Sequence, residues 1–400
     1  MRIKVGFIFG GESVEHEVSI ISAIQAMNKI DEEKYEVVPI YITKDREWYT
    51  GELLKDIEVY QDLKLLKKYA KNVVLYYKNG SYVLQTKGLF KRIVNTIDIA
   101  FPVVHGTNVE DGVLQGYLQS IGIPFVGSNV YASVVGQDKV YMKNIWEKAG
   151  LNMAKYTWFY DYDYRNNQDK ILKEIDKIGY PVVVKPATTG SSVGIGVAST
   201  RDEIIDAIDE AIQYDSKIIV EEKVENLKEV NIAVMGNYER QKLSAIEEVM
   251  SSNKFLTFDD KYIGNGKSKG KFKVASKGMA SLNRKLPADL SKEVKEKVED
   301  MAINAFKVLG TSGNARIDFM INSKTNKVYI NEINSIPGSL AFYLWEEVSV
   351  SFTDLLDEMI NIGIKDYKKR SAKIHSFDSN ILSGFAKGNG LKGKGKGKLK

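Results

Sequence analysis

Apolar runs broken by glycines and polar turns divide the chain into segments of two different periods. IKVGFIF (3–9) is a continuous apolar run ending at Gly10 and Gly11, and a helical pattern follows over about Glu17 to Lys29. YEVVPIYIT (35–43) and IDIAFPVV (97–104) read as further buried strands, and the stretch 52–92 reads as helix plus a hairpin around Asn79-Gly80. Strands alternating with helices predict an α/β unit with a parallel sheet. From about residue 150 the texture changes. GYPVVVKPATTGSSVGIGVAS reads as strand, Gly/Ser loop and strand, and KIIVEEKV (217–224) and EVNIAVMGN (229–237) as two more strands. Val294, Val298, Met301, Ala305 and Val308 form one stripe of a helix from Ser291 to Leu309, with Gly310 as its stop. The run SLAFYLWEEVSVSFTDLLDEMINIGI is mostly helical in pattern.

Between those helices, ARIDFMI, the turn SKTNK and VYINEINSIPG predict a β-hairpin. A five-residue loop over 323–327 puts Met320 opposite Ile330, Asp318 opposite Glu332 and Arg316 opposite Asn334. Side chains two apart share a face, so two carboxylates, an amide and a guanidinium meet on one surface. Like charges directly opposite one another destabilise a strand pair, so something positive should lie between the acids. A divalent cation suits such oxygens, and Mg2+ is usually held by one or two carboxylates plus substrate phosphates. A solvated polar edge would serve for an arbitrary hairpin, but Ile317, Phe319, Ile330 and Ile333 flank this one and argue for a buried sheet.

Composition narrows the classes. At 400 residues the chain suggests two or three domains, and it contains no cysteine, which excludes disulfides, thiolate metal sites and cysteine nucleophiles and fits the cytosol. The N-terminal run ends in glycines and acids, unlike a signal peptide, and no stretch is long enough to span a membrane. The net charge is +5, yet the last fifteen residues hold six lysines and no acid, so removing them leaves −1 for the body. That Gly/Lys tail has the composition of a disordered segment, and contact with nucleic acid or anionic lipid stands beside an incidental solubilising role.

Several stretches carry candidate chemistry. Strand, glycines and helix at the start resemble a dinucleotide layout, but G-x-G-x-x-G is absent and acids at 12, 15 and 17 would repel a pyrophosphate; one of them suits a cationic ligand such as an amino group. His105, one of three histidines, sits at a strand end, where open α/β sheets place ligands, with Glu110 and Asp111 nearby. Lys185 stands before the TTGSSVG loop, whose glycines and Ser191 and Ser192 hydroxyls suit phosphate oxygens; a plain hairpin turn is the alternative. Gly266-Lys267-Ser268 fails as a P-loop because Lys261 occupies the first glycine position. The Lys- and Gly-rich stretch 251–286 reads either as a lid over an anionic substrate or as plain disorder.

Taken in order, the glycine-acid start, HGTNVEDG at His105, Lys139, Lys185 before TTGSSVG, Glu229, the Lys261-Tyr262 pair and the Arg316–Asn334 hairpin resemble the D-alanine:D-alanine ligases of the ATP-grasp superfamily over roughly residues 1–365. The resemblance implies an α/β and α+β chain with an ATP-grasp fold. It divides the chain into an N-terminal Rossmann-like domain (1–132), a central subdomain (133–226), a C-terminal subdomain (227–375) with lid 251–286, and a tail (376–400). It implies that ATP lies between the last two subdomains, with Lys139 and Lys185 on its phosphates, Ser191 and Ser192 closing over them, Glu221, Glu222 and Val224 at the adenine and Glu229 at the ribose. Asp318, Glu332 and Asn334 would bind two Mg2+ ions, for which Mn2+ can substitute, and K+ is a candidate monovalent cation.

Glu15 would hold the ammonium of the first D-alanine within a triad with Ser191 and Tyr262, and His105 would lie near the substrate carboxylates. Lys261 would reach the transferred phosphate, and Arg316 with the Gly338 N–H would form an oxyanion site. The family's serine for the second substrate's carboxylate is replaced in SLAFYLW, leaving Ser339 or Tyr343 as substitutes, and Val109 stands where glycine is common. The expectation is a cytoplasmic ligase making D-alanyl-D-alanine for peptidoglycan, homodimeric, binding D-alanine and ATP and neither membrane nor nucleic acid. Tyr262 favours an amine acceptor. D-serine or D-lactate as acceptor, another carboxylate-amine ligase, and a nucleic-acid-binding protein using the lysine tail are the alternatives.

Overall fold

The computed structural model describes residues 2–250 and 284–377. Lys261, Tyr262 and the Gly/Lys end of the tail lie outside the described residues.

The first sheet contains β1 (Ile3–Gly10), β2 (Tyr35–Ile42), β3 (Trp48–Thr50), β4 (Lys71–Lys78), β5 (Ser81–Thr86), β6 (Ile93–Ile97) and β7 (Ile99–Pro102), in the order β6-β5-β4-β3-β2-β1-β7. Only β2-β1-β7 are parallel; β2 through β6 form an antiparallel meander. The parallel expectation fails there because β2–β3, β4–β5 and β5–β6 are joined by links too short for a crossover, while the longer β3–β4 link, carrying the helix Leu63–Tyr69, returns the chain antiparallel. The Asn79-Gly80 hairpin joins β4 to β5 as predicted. Helices α1 (His16–Met27), α2 (Leu63–Tyr69) and α3 (Val113–Ser120) complete this unit, and α4 (Val130–Gln137) and α5 (Lys139–Lys148) lead out of it.

The second sheet, β10-β9-β11-β8, is made of β8 (Tyr156–Tyr160), β9 (Val182–Pro186), β10 (Gly196–Ala198) and β11 (Lys217–Glu222). It packs with α6 (Asp161–Asp176) and α7 (Arg201–Ile212). The third sheet, β14-β13-β12-β15-β16, is made of β12 (Leu227–Gly236), β13 (Gln241–Val249), β14 (Arg284–Lys285), β15 (Gly313–Asn322) and β16 (Lys327–Asn334). Because Arg284 and Lys285 pair with Val249 and Glu248, the stretch expected to be loop through 286 ends earlier, in a strand. The helix Lys292–Val308 covers this sheet, N-capped by Ser291 and burying Val294, Val298, Met301 and Ala305, whereas Val308 in its last turn is exposed.

Among the described residues three large apolar cores result, beside a small cluster of Val140, Ala187 and Ile219. Phe159, Ile175, Ile208 and Val220 centre the one within the second sheet, and Trp146, Val298, Phe306 and Phe319 the one in the third. Around the first sheet, Phe7, Ile40 and Phe101 pack with Leu340, Trp345, Leu355 and Ile360, so the late helices Phe342–Glu346 and Phe352–Ser371 join the opening unit. Among the described residues no helix is long and apolar enough to cross a membrane.

Candidate functional site

Strand pairing in the third sheet builds one wall of the site. Asp318 lies opposite Glu332 and Arg316 opposite Asn334, as the hairpin reading predicts. Beyond them the register slips: Phe319 faces Ile330 and Met320 faces Tyr329, because a bulge at Asn331 places two residues of β16 against one. The expected five-residue loop does not form either: Asn322 pairs with Lys327, leaving a four-residue loop over 323–326, so Met320 does not face Ile330 and the bulge is what brings Asp318 opposite Glu332. The bulge also leaves Asn331 and Glu332 both at the cavity, and Asn331 Oδ1 accepts from Lys185 Nζ at 3.4 Å. Asp318 also pairs with Asn231, and Asn231 with Glu247, so a polar row Glu332, Asp318, Asn231, Glu247 crosses four strands.

Positive charge balances this row from inside the chain. Arg316 donates to both Asp318 oxygens at 2.7 and 2.8 Å, and Asn334 Nδ2 donates to Asp318 at 3.1 Å. Arg284 donates to Glu247 at 2.9 Å and lies over the Tyr343 ring at 4.2 Å, while Tyr343 donates to the same carboxylate at 2.8 Å. Glu247 and Arg284 were not singled out in the sequence, and only the pairing of β12, β13 and β14 brings them here.

The second sheet supplies the opposite wall. Lys139 donates to the Thr189 carbonyl at 2.8 Å, and Gln137 to that of Thr188 at 2.7 Å, so the α4–α5 junction holds the glycine loop. Ser191 and Ser192 both adopt positive φ, a strained left-handed backbone that clusters at ligand-binding segments. Lys185 ion-pairs with Glu221, whose other oxygen lies 2.6 Å from Lys143 Nζ. Burial alone would raise the Glu221 pKa, but the two lysines hold it down to about 2. Burial likewise lowers the Lys185 pKa, and Glu221 and Glu332 more than offset it. Val224 is buried and, with Glu222 and Glu229, lines the cavity.

From the first unit comes Glu15, which accepts a short hydrogen bond from Ser191 Oγ. Gly106, at φ +80°, passes so close that a Cβ there would lie 3.0 Å from the Glu15 carboxylate and 2.4 Å from Ser13 Oγ. His105 lines the cavity, but both its nitrogens are engaged: Nδ1 with the Ile336 carbonyl at 2.8 Å and Nε2 with Ser22 Oγ at 3.0 Å. Burial lowers its pKa, so it is a neutral imidazole that donates to Ile336 and accepts from Ser22. The Ser339 N–H donates to Ser22 Oγ at 2.9 Å, and Ser339 is itself buried outside the cavity lining, whereas Gly338 lines it. Glu110, buried beside this network, accepts from Gly106 N, Ile336 N and Ser335 Oγ at 3.0, 2.9 and 3.0 Å.

Together these walls enclose a cavity of about 290 Å³. Among the described residues no group of three His, Cys, Asp or Glu side chains could hold a metal by itself. Asp318 and Glu332 with the Asn334 amide oxygen nevertheless form a hard oxygen set on one face, which fits an ion such as Mg2+ that completes its shell with phosphate oxygens.

Comparison with known proteins is consistent along the chain. Family models described as D-ala D-ala ligase N-terminus and D-ala D-ala ligase C-terminus match residues 4–128 and 145–361. A D-alanine–D-alanine ligase of Thermosipho melanesiensis is 39% identical over 95% of this chain and 98% of its own. One from Natranaerobius thermophilus is 38% identical over 95% of this chain and 100% of its own. Among solved structures, the D-alanine-D-alanine ligase from Coxiella burnetii superposes with a TM-score of 0.77 at 27% identity, covering 92% of this chain and 96% of its own. The VanG D-Ala:D-Ser ligase of Enterococcus faecalis superposes with a TM-score of 0.74 at 29% identity, covering 91% and 100%.

Proposed function

The chain belongs to the D-alanine–D-alanine ligase family, and on that premise we propose how its cavity uses ATP to join two D-alanines into the dipeptide of peptidoglycan precursors. A carboxylate does not form an amide with an amine until one of its oxygens becomes a leaving group. An oxygen of the first D-alanine attacks the γ-phosphorus of ATP, the bridging P–O bond breaks and ADP departs. The second D-alanine's amine then attacks the carbonyl carbon, loses a proton, and inorganic phosphate leaves with the C–O electron pair.

The residues divide between these tasks. Lys139 and Lys185, beside the strained Ser191-Ser192 loop, face the phosphates and stabilise the charge moving between them. Glu15 receives the ammonium of the first D-alanine and is oriented by the Ser191 hydroxyl. Val224 and Glu229 sit where the base and ribose enter. Asp318, Glu332 and Asn334 would hold Mg2+, which neutralises phosphate charge when bound. Arg316 keeps further N–H donors beyond the two it gives Asp318, and with the Gly338 N–H these serve the tetrahedral oxyanion. His105, neutral and bonded on both sides, acts by holding α1 to the Ile336–Ser339 turn and not by pairing with a substrate carboxylate.

One observation carries this reading: an acid at the start of α1, a lysine at the start of α5, a lysine on the second sheet and an opposed carboxylate pair on the third converge on one cavity. D-serine as acceptor is a second reading, supported by the likeness to VanG. Phosphate release from Mg-ATP with D-alanine, followed by mass analysis with D-serine, D-lactate and L-alanine in parallel, tests both. D-alanyl-D-alanine as the main product is expected; turnover only with a second amino acid or hydroxy acid present would replace the acceptor, and no phosphate release would overturn the proposal.

A further inference from the structure

Helix α5 presents two lysines four residues apart on one face, Lys139 and Lys143. Lys139 lines the cavity, whereas Lys143 is 1% exposed and takes no part in its lining. Its ammonium lies 2.6 Å from Glu221, which is also 1% exposed, and 5.8 Å from the centre of the Tyr156 ring. The other Glu221 oxygen contacts Lys185 at the phosphate end of the cavity. Lys143 and Glu221 make no well-directed hydrogen bond to each other, so charge holds them together.

Charge counting shows what Lys143 does. A Glu221–Lys185 pair alone would be neutral and would present little field to a polyphosphate. With Lys143 on the far oxygen, the three groups sum to one positive charge, and Lys185, at 12% exposure, is the member that reaches the cavity. A buried ion cluster is seldom the most stable filling for such a space, since apolar side chains of similar volume often do as well or better. From this geometry we propose that Lys143 is a positioning residue for nucleotide binding: it neutralises Glu221 from behind, so that Glu221 fixes the Lys185 ammonium in place without cancelling its charge toward the phosphates. Glu221 then acts through Lys185, not by its side chain touching adenine.

This inference rests on the nucleotide reading of the cavity, so its test measures nucleotide binding directly on the full chain, apart from ligation. Calorimetric affinities for ATP, ADP and adenosine separate phosphate recognition from base recognition. Lys143→Met is expected to weaken ATP and ADP about tenfold or more, with adenosine nearly unchanged. Lys143→Met combined with Glu221→Gln again sums to one positive charge, and it is expected to bind ATP more tightly than Lys143→Met while staying weaker than wild type, because the anchor of Lys185 is lost with Glu221. The double variant removes both buried charges together, so it remains informative even where the single variant does not fold. Wild-type-like ATP affinity in Lys143→Met, an equal loss for adenosine, or a double variant as weak as or weaker than the single would overturn the role of Lys143. A wild-type protein that bound no ATP would overturn the nucleotide reading beneath it.

Discussion

Asp318 and Glu332 stand opposite each other, but the bidentate Arg316 contact belongs to Asp318 alone. Asp318→Asn would leave a largely buried guanidinium without its counter-ion, and a loss of about 3 kcal/mol is expected. Glu332→Gln relieves repulsion from Asp318 but also removes a carboxylate that supports the Lys185 ammonium, so a smaller loss, of about 1 kcal/mol or less, is expected. Urea unfolding of the two variants measures that asymmetry, and both should lose ATP turnover. Retained turnover in either would remove that residue from the phosphate-binding face. Glu110 supplies a pH dependence. Burial raises its carboxyl pKa from 4.5 to about 7 despite three donors. The unfolded chain releases this proton near 4.5 and the native chain near 7, so between those values the unfolded state binds fewer protons and stability falls as pH rises. His16 and His105, both depressed, act oppositely and lose stability as pH falls through 6.5. The difference between wild type and Glu110→Gln isolates the first effect: stability measured across pH 4.5 to 7 should fall less steeply in the variant.

At the scale of elements, what could be read beforehand and what could not divide by the range of the interaction. Two-residue periodicity makes the shared face of Arg316, Asp318, Glu332 and Asn334 legible, but the turn does not determine the register: the loop is one residue shorter than read, with Asn322 opposite Lys327, and only the bulge at Asn331, which nothing local distinguishes from a continuous strand, restores Asp318 opposite Glu332. The helix start near Ser291 and the stripe Val294 to Ala305 are legible because one helical period determines them. Glu247 with Arg284, and Lys143 with Glu221, were not, because each meeting depends on elements distant along the chain. Gly363 shows how such a meeting reverses a local rule. In an ordinary helix interior Gly→Ala stabilises by about 1 kcal/mol. Here an added Cβ would lie 2.9 Å from the Phe125 carbonyl oxygen and 3.2 Å from Val126 Cα, so the helix Phe352–Ser371 would have to back away from the first unit. Gly363→Ala is therefore expected to lower the urea midpoint, and a higher midpoint would show that the contact yields easily.

Across the whole molecule, the separate core of the second sheet gives that unit a stability of its own. Ile208→Ala removes a fully buried side chain there, at about 2–5 kcal/mol, and is expected to increase hydrogen exchange in β8, β9 and β11 while sparing β1 and β2. Equal acceleration in all five strands would mean that the cores melt together. The first core is organised differently, because residues on both sides of the chain's middle complete it: Phe7, Ile40 and Phe101 share it with Ile24 and Leu118 of the opening unit's own helices and with Leu340, Trp345, Leu355 and Ile360. During synthesis the ribosome therefore delivers the opening strands long before the late helices that complete their cover. Domains usually fold in order as they emerge, but this one must wait with part of its apolar face uncovered while both other sheets are made, so the newborn chain is at its most adhesive just before its last helices arrive.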